Sequence, residues 1–192
     1  LVASENGVTY TYNPKALPWT ANDAYNKADG RYVNLTNDLN REIIKVTGLA
    51  DGTYTLKMDG MTVGTYTNVQ LAEGVNIAIE ANNPGQIQSK EVDKINELKH
   101  EYTAKMRGYA LAKEGLINAG AIDRVTGEII NKTKYDATIS KAVADKVYCY
   151  QYYADYETYD KQYPTWVEES AKLTTQMRNV AMPKSHTVEI TK

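Results

Sequence analysis

Two histidines, a single cysteine and an unremarkable set of serines limit the chemistry available to this chain. Acyl transfer by a serine needs its hydroxyl within hydrogen-bond reach of an activating base. Ser185 precedes His186, but neighbouring side chains on a strand point to opposite faces, so adjacency alone makes no dyad. His100, in Glu97-Leu98-Lys99-His100, falls one residue beyond an apolar stripe and among charges, the position of a solvated helix residue. No Gly-x-Ser-x-Gly elbow, phosphate-binding loop, Gly-x-Gly-x-x-Gly turn or His-Glu-x-x-His helix occurs. Cys149 alone can form neither an internal disulfide nor a multi-thiolate site, so no metal and no cofactor are expected. Asp38, Glu42, Asp51 and Asp59 fall at turns or strand edges, where a solvated acid is the default, and no spacing singles out a glycosidase pair. No catalytic residue is assigned.

Binding chemistry has better candidates. The chain holds 16 tyrosines and no phenylalanine, and seven of the tyrosines lie between positions 148 and 163. Tyr148, Tyr152, Tyr156, Tyr159 and Tyr163 share one helical face, and Trp19 stands in Ala16-Leu17-Pro18-Trp19 at a loop. Aromatic faces stack on sugar rings or flat ligands, which makes Trp19, Tyr152, Tyr156 and Tyr163 the candidate binding residues. The same stripe suits packing on a neighbouring helix with hydroxyls reaching water, and that reading is favoured.

The elements that must position these residues change character along the chain. Val8–Tyr12 alternates as a strand, residues 20–40 form a polar loop, and Ile43 to Leu49 marks a second strand. Thr53–Met58 and Met61–Tyr66 alternate on either side of Asp59-Gly60, the preferred sequence for a type I′ hairpin turn. Val75 to Ile79 is a shorter strand. After Asn82-Asn83-Pro84-Gly85, Val92, Ile95, Leu98, Tyr102, Met106 and Tyr109 predict a helix from about Gln86 to Asn118. A second helix is predicted from Lys134 to Tyr159 with Ile139, Val143, Val147, Tyr150 and Ala154 inward, stopped by Pro164. Thr165 and Glu168 then read as the capping box of a third helix, and His186–Thr191 as a last short strand. The fold class is α+β: a β-rich segment, residues 1–82, with an antiparallel hairpin, then a helical segment, residues 83–192, closed by a terminal strand.

Composition excludes other classes. Hydrophobic residues make up 42% and charged residues 24%, too apolar for disorder. No apolar run approaches the roughly 20 residues of a membrane helix. A net charge of −2 argues against nucleic acid as a partner. The chain begins at Leu1 without a signal peptide and is expected to be a processed or excised piece of something longer. The sequons Asn34-Leu35-Thr36 and Asn131-Lys132-Thr133 matter only in a glycosylating host.

Several segments, taken in order, resemble the C-terminal part of a bacterial SGNH/GDSL hydrolase family. They are Ala16-Leu17-Pro18-Trp19, Leu39–Leu49, Gly52–Gly60, Val63–Thr67, Leu71–Ala78 and the closing Pro183–Ile190, densest over residues 39–79. The resemblance implies an ester or acyl hydrolase of the periplasm or cell exterior, whose α/β/α catalytic domain precedes a β-rich segment and a helical tail. The family's Gly-Asp-Ser nucleophile block and its Asp-x-x-His block have no match here, so no catalytic role carries over. The expected function is therefore a non-catalytic portion that packs on or caps an upstream catalytic domain, its partner, with an acylated or carbohydrate substrate nearby. Whether the chain is itself an enzyme stays open at this stage. Two alternatives stand beside this: a carbohydrate or cell-surface binding module built on a Tyr/Trp platform, and a structural or self-assembling extracellular protein.

Overall fold

The computed structural model describes residues 1–20 and 34–192 and shows an α+β fold. Most of the expected polar loop over residues 20–40 lies outside the described residues. The chain divides into two compact units, Leu1–Lys94 with Met177–Lys192, and Ile95–Gln176.

The first unit is built on a five-stranded antiparallel sheet in the order β1-β2-β7-β4-β5. Its strands are β1 (Val2–Ser4), β2 (Gly7–Tyr12), β4 (Thr53–Met58), β5 (Met61–Thr67) and β7 (His186–Thr191). Asp59 and Gly60 both have positive φ, 47° and 80°, as the type I′ turn between β4 and β5 requires. Alternation buries one face of the sheet. Tyr54, Leu56 and Met58 of β4 and Val188 and Ile190 of β7 are fully enclosed. The last strand of the chain occupies the middle of the sheet, pairing Val8 with Ile190 on one side and Leu56 with Ile190 on the other.

The other apolar segments are shorter than their composition suggests. β3 is only Ile43–Ile44 and pairs with β6, Val75–Asn76, instead of extending to Leu49 and Ile79. Ile44 and Ile77 instead deliver single side chains to the core shared with Leu71. Leu71 comes from a helix the alternation pattern had hidden, α2 (Asn68–Glu73). Thr67 and Gln70 form a reciprocal capping box at its start. A short helix, α1 (Leu35–Asp38), is capped by the Asn34 side chain, which accepts from the Asn37 N–H.

Helix α3 runs Pro84–Asn118, α4 Lys132–Ala144, α5 Tyr150–Ala154 and α6 Tyr156–Val180; α3 and α6 contribute residues to both units. In place of one helix from Lys134 to Tyr159 the chain breaks after Ala144, where Lys146 takes φ 47°, and again at Asp155. The break rotates the face that packs. Tyr135, Ala142, Cys149 and Tyr153 are buried, while Val143, Val147 and Tyr150 face outward. Pro164 does not stop a helix, and Thr165 with Glu168 caps none: α6 continues straight through them. A proline forfeits one backbone bond and crowds the preceding turn. Here Tyr156, Tyr163 and Trp166 on both sides of it sit against the core of the second unit, and that burial outweighs the local cost.

Candidate binding cleft

The titratable groups most suggestive of catalysis are used structurally. His186 opens β7 and is 6% exposed, with Nδ1 2.7 Å from Asp59 Oδ2. The Thr187 N–H donates to Asp59 Oδ1 at 2.8 Å. Burial works against ionisation of Asp59, but the bonds from His186 and Thr187 outweigh it and hold the carboxyl below its ordinary range. Asp59 is thereby a clamp between the hairpin turn and the start of β7. Ser185 points elsewhere, its Oγ donating to Asn13 Oδ1 at 2.5 Å. Among the described residues no serine hydroxyl bonds either imidazole, and His100 is exposed on α3. The Asp59–His186 pair spans 127 positions and left no trace in local spacing. Cys149 is buried, and desolvation pushes its thiol up, keeping it protonated and weakly nucleophilic. Among the described residues no group of three or more His, Cys, Asp or Glu is placed to hold a metal ion.

Three of the four candidate binding residues lie in the second unit, Tyr156 in its core and Tyr152 and Tyr163 packed against that core. Tyr156 is buried, its ring stacked on Tyr109 at 5.6 Å, and Tyr163 lies 4.8 Å from Tyr109. Tyr152 packs 4.8 Å from Tyr159, which in turn meets Trp166. These rings face one another. Burial, and then the Asp160 carboxylate that accepts its hydroxyl, push Tyr109 far above the usual phenol range. The chain makes room for this aromatic layer at Gly115, where an added Cβ would collide with the Tyr153 hydroxyl. Tyr148, the first member of the stripe, is 76% exposed with the Arg107 guanidinium 5.6 Å from its ring.

Trp19, in the first unit, behaves differently. Its side chain is 52% exposed, yet its backbone is tied down on both sides. The Trp19 N–H donates to Asn40 Oδ1 at 2.8 Å and Asn40 Nδ2 donates to the Trp19 carbonyl at 2.7 Å, so one buried amide imitates a strand partner. Gln86 Nε2 reaches the same carbonyl at 3.4 Å and the Ala78 carbonyl at 2.6 Å. Ser89 Oγ donates to the Pro18 carbonyl at 2.6 Å, and the Thr20 hydroxyl bonds Asp93. Asn40, Gln86 and Ser89 are all buried polar residues of the kind that composition cannot reveal.

The segment so held is a wall of two clefts. One, of about 550 Å³, is lined by Tyr12, Lys15, Leu17, Trp19, Arg41 and Glu42 among others. The second, of about 340 Å³, takes Leu17, Pro18 and Trp19 together with Val92 and Ala181. In the larger cleft Glu42 Oε2 accepts from Asn83 Nδ2 at 2.5 Å. Tyr12 is pushed up to about 12, by burial first and then by the charge and hydrogen bond of Glu42, so its hydroxyl stays protonated and can donate. The arrangement is concave and part apolar with a few fixed polar groups, the usual make-up of a small-molecule site. Trp19 was visible in the sequence. Its clamp was not, since Asn40 is 21 positions away and Gln86 is 67.

No protein-family model and no curated protein matches the sequence. Among solved structures, BT4096, a gut microbial diltiazem-metabolizing enzyme, is similar at 20% identity with a TM-score of 0.73. The match covers 97% of this chain and 43% of that one, so the chain spans less than half the length of the enzyme, and what the likeness shows is a shared fold.

Proposed function

We propose that this chain is a non-catalytic portion of an SGNH/GDSL-type ester hydrolase, packing on or capping a catalytic domain in the periplasm or outside the cell. The observation that carries this reading is the use made of His186. It is buried: Nδ1 bonds Asp59 at a hairpin turn, as the histidine of a triad would bond its Asp, but Nε2, the nitrogen that would face a serine, is buried with no serine hydroxyl on it, and the adjacent Ser185 bonds Asn13. An acyl-transfer centre needs Nε2 of such an imidazole within reach of a serine hydroxyl, inside a pocket with oxyanion donors opposite. Support comes also from the ordered segments that resemble the family. The rest of such a protein would supply the nucleophile.

Hydrolysis of p-nitrophenyl acetate tests this reading. The 192 residues alone are expected to give no turnover above buffer, while a longer parent carrying an upstream domain gives turnover abolished by a fluorophosphonate. Fluorophosphonate-sensitive turnover by the isolated chain would overturn the proposal.

A further inference from the structure

We infer that Asn6-Gly7, where the turn after β1 enters β2, is a site of spontaneous covalent modification: the Asn6 side-chain amide is lost through a cyclic imide, and the chain reseals as aspartate or isoaspartate. The inference concerns the covalent chain itself and stands apart from the ester-hydrolase reading.

The chemistry needs a free side-chain amide followed by an unshielded backbone nitrogen. The Gly7 nitrogen attacks Asn6 Cγ, its proton leaves with the side-chain nitrogen as ammonia, and a five-membered imide closes. Water then adds across either imide C–N bond. Opening at one bond gives aspartate. Opening at the other gives isoaspartate, in which the chain runs through the side-chain carbon. Nothing is oxidised or reduced, and water is the co-reactant.

Asparagine is among the thermolabile residues, and Asn-Gly occurs once in this sequence. Asn6 is exposed, and among the described residues no hydrogen bond holds its side-chain amide. Asn40, Asn68, Asn76, Asn82 and Asn83, by contrast, commit their amide nitrogens to acceptors. The glycine is imposed by the fold. A Cβ at position 7 would lie 2.5 Å from the Ile190 carbonyl oxygen, so pairing with β7 requires the one residue that leaves the attacking nitrogen unshielded. Ser4 Oγ accepts from the Asn6 N–H at 3.3 Å and donates to the Gly7 carbonyl at 3.4 Å, both long bonds in an exposed turn that opens readily.

The turn is also a tie point for the sheet unit. The Glu5 carbonyl accepts from the Ala50 N–H at 2.9 Å and from the Tyr54 hydroxyl at 3.1 Å. The Asn6 carbonyl accepts from the Lys192 N–H at 3.2 Å. Isoaspartate inserts an extra backbone atom between these two carbonyls, so they can no longer keep their spacing. Conversion therefore loosens the hold of the turn on Ala50 and on the end of β7.

Peptide mapping by mass spectrometry tests this on the full chain, incubated folded and in urea in warm, mildly alkaline buffer. The folded chain is expected to turn from amide to acid at residue 6, to take up heavy oxygen there from enriched water, and to become a substrate for isoaspartyl methyltransferase. Asn6→Gln, whose longer side chain closes a ring far more slowly, should show none of this while melting like the parent. In the isoaspartate form the Ala50 amide should exchange at least about tenfold faster than in the parent. Asn6→Asp keeps the ordinary backbone and should protect Ala50 as the parent does. An intact Asn6 in the folded chain, whether or not urea allows conversion, or faster loss of amide at another asparagine, would overturn the inference. Unchanged protection of Ala50 in the isoaspartate form would overturn the structural consequence drawn from it.

Discussion

The two units solve the same problem with different side chains. The sheet unit encloses Leu56, Met58, Leu71, Ile77, Val188 and Ile190, aliphatic groups with no polar atoms to satisfy. The helical unit fills its centre with Tyr109, Tyr135, Tyr153, Tyr156 and Trp166 beside small residues such as Ala112 and Ala142. An aliphatic core draws its stability from area and close packing, almost independently of pH. A tyrosine core adds large rings but must place each hydroxyl, and its stability is tied to the protonation of phenols. Among the described residues the sheet unit has a single enclosed tyrosine, Tyr54, and its hydroxyl is given to the Ala50 carbonyl at 2.7 Å. Comparing the units shows that aromatic richness in a sequence marks packing as readily as binding. The ring that stands out, Trp19, lies in the aliphatic unit.

Three changes probe this contrast. Leu56→Ala opens a cavity in a fully enclosed site and should cost the sheet unit about 3 kcal/mol, read by native-state hydrogen exchange at β4 and β7 amides. A loss below about 1 kcal/mol would mean that the aliphatic cluster is not what holds the sheet. Tyr109→Phe removes the hydroxyl bonded to Asp160 and should cost the helical unit about 1.5 kcal/mol at neutral pH.

That variant also tests the pH linkage. Tyr109 is raised in the folded state by burial and then Asp160, and Tyr135 is pushed up from 10.0 to about 12 by burial and then Glu157. A phenol raised on folding contributes stability that is complete below the unfolded value and is lost as pH climbs through the folded one. The helical unit should therefore weaken as pH rises above 10, with tyrosinate absorbance appearing as its ellipticity falls, and more shallowly in Tyr109→Phe. An alkaline titration that melts the sheet first would break the comparison.

The smallest expected effect is at the turn. Asp59→Asn preserves a residue that tolerates positive φ but removes the charge facing His186, and should cost about 1 kcal/mol in the thermal transition, modest because Asp59 is partly solvated. Asp59 is lowered on folding, so its contribution is present above the ordinary carboxylate value and fades as pH falls through the folded one. Parent and variant curves should converge in acid. Curves that stay parallel down to low pH would assign the loss to the turn rather than to the charge.

What the amino-acid sequence determined by itself is what depends on neighbours within a few positions. The Asp59-Gly60 turn is selected by positive φ, the alternation in β4, β5 and β7 follows the two-residue period of a strand, and the apolar recurrence from Val92 to Tyr109 follows the helical one. Even the missed helix α2 had a local signature in Thr67 and Gln70. Only tertiary structure decided the features whose causes are far apart along the chain. The centre of the sheet was assigned to the last strand because β2 and β4 both had a free edge for it. Helix α6 passed through Pro164 because burial on either side outweighed one lost backbone bond. The Trp19 clamp and the Asp59–His186 pair join residues tens to more than a hundred positions apart. Short-range rules govern the dihedral angles of adjacent residues, whereas contacts between distant ones exist only after the chain has closed on itself, and the candidate site is made of those contacts.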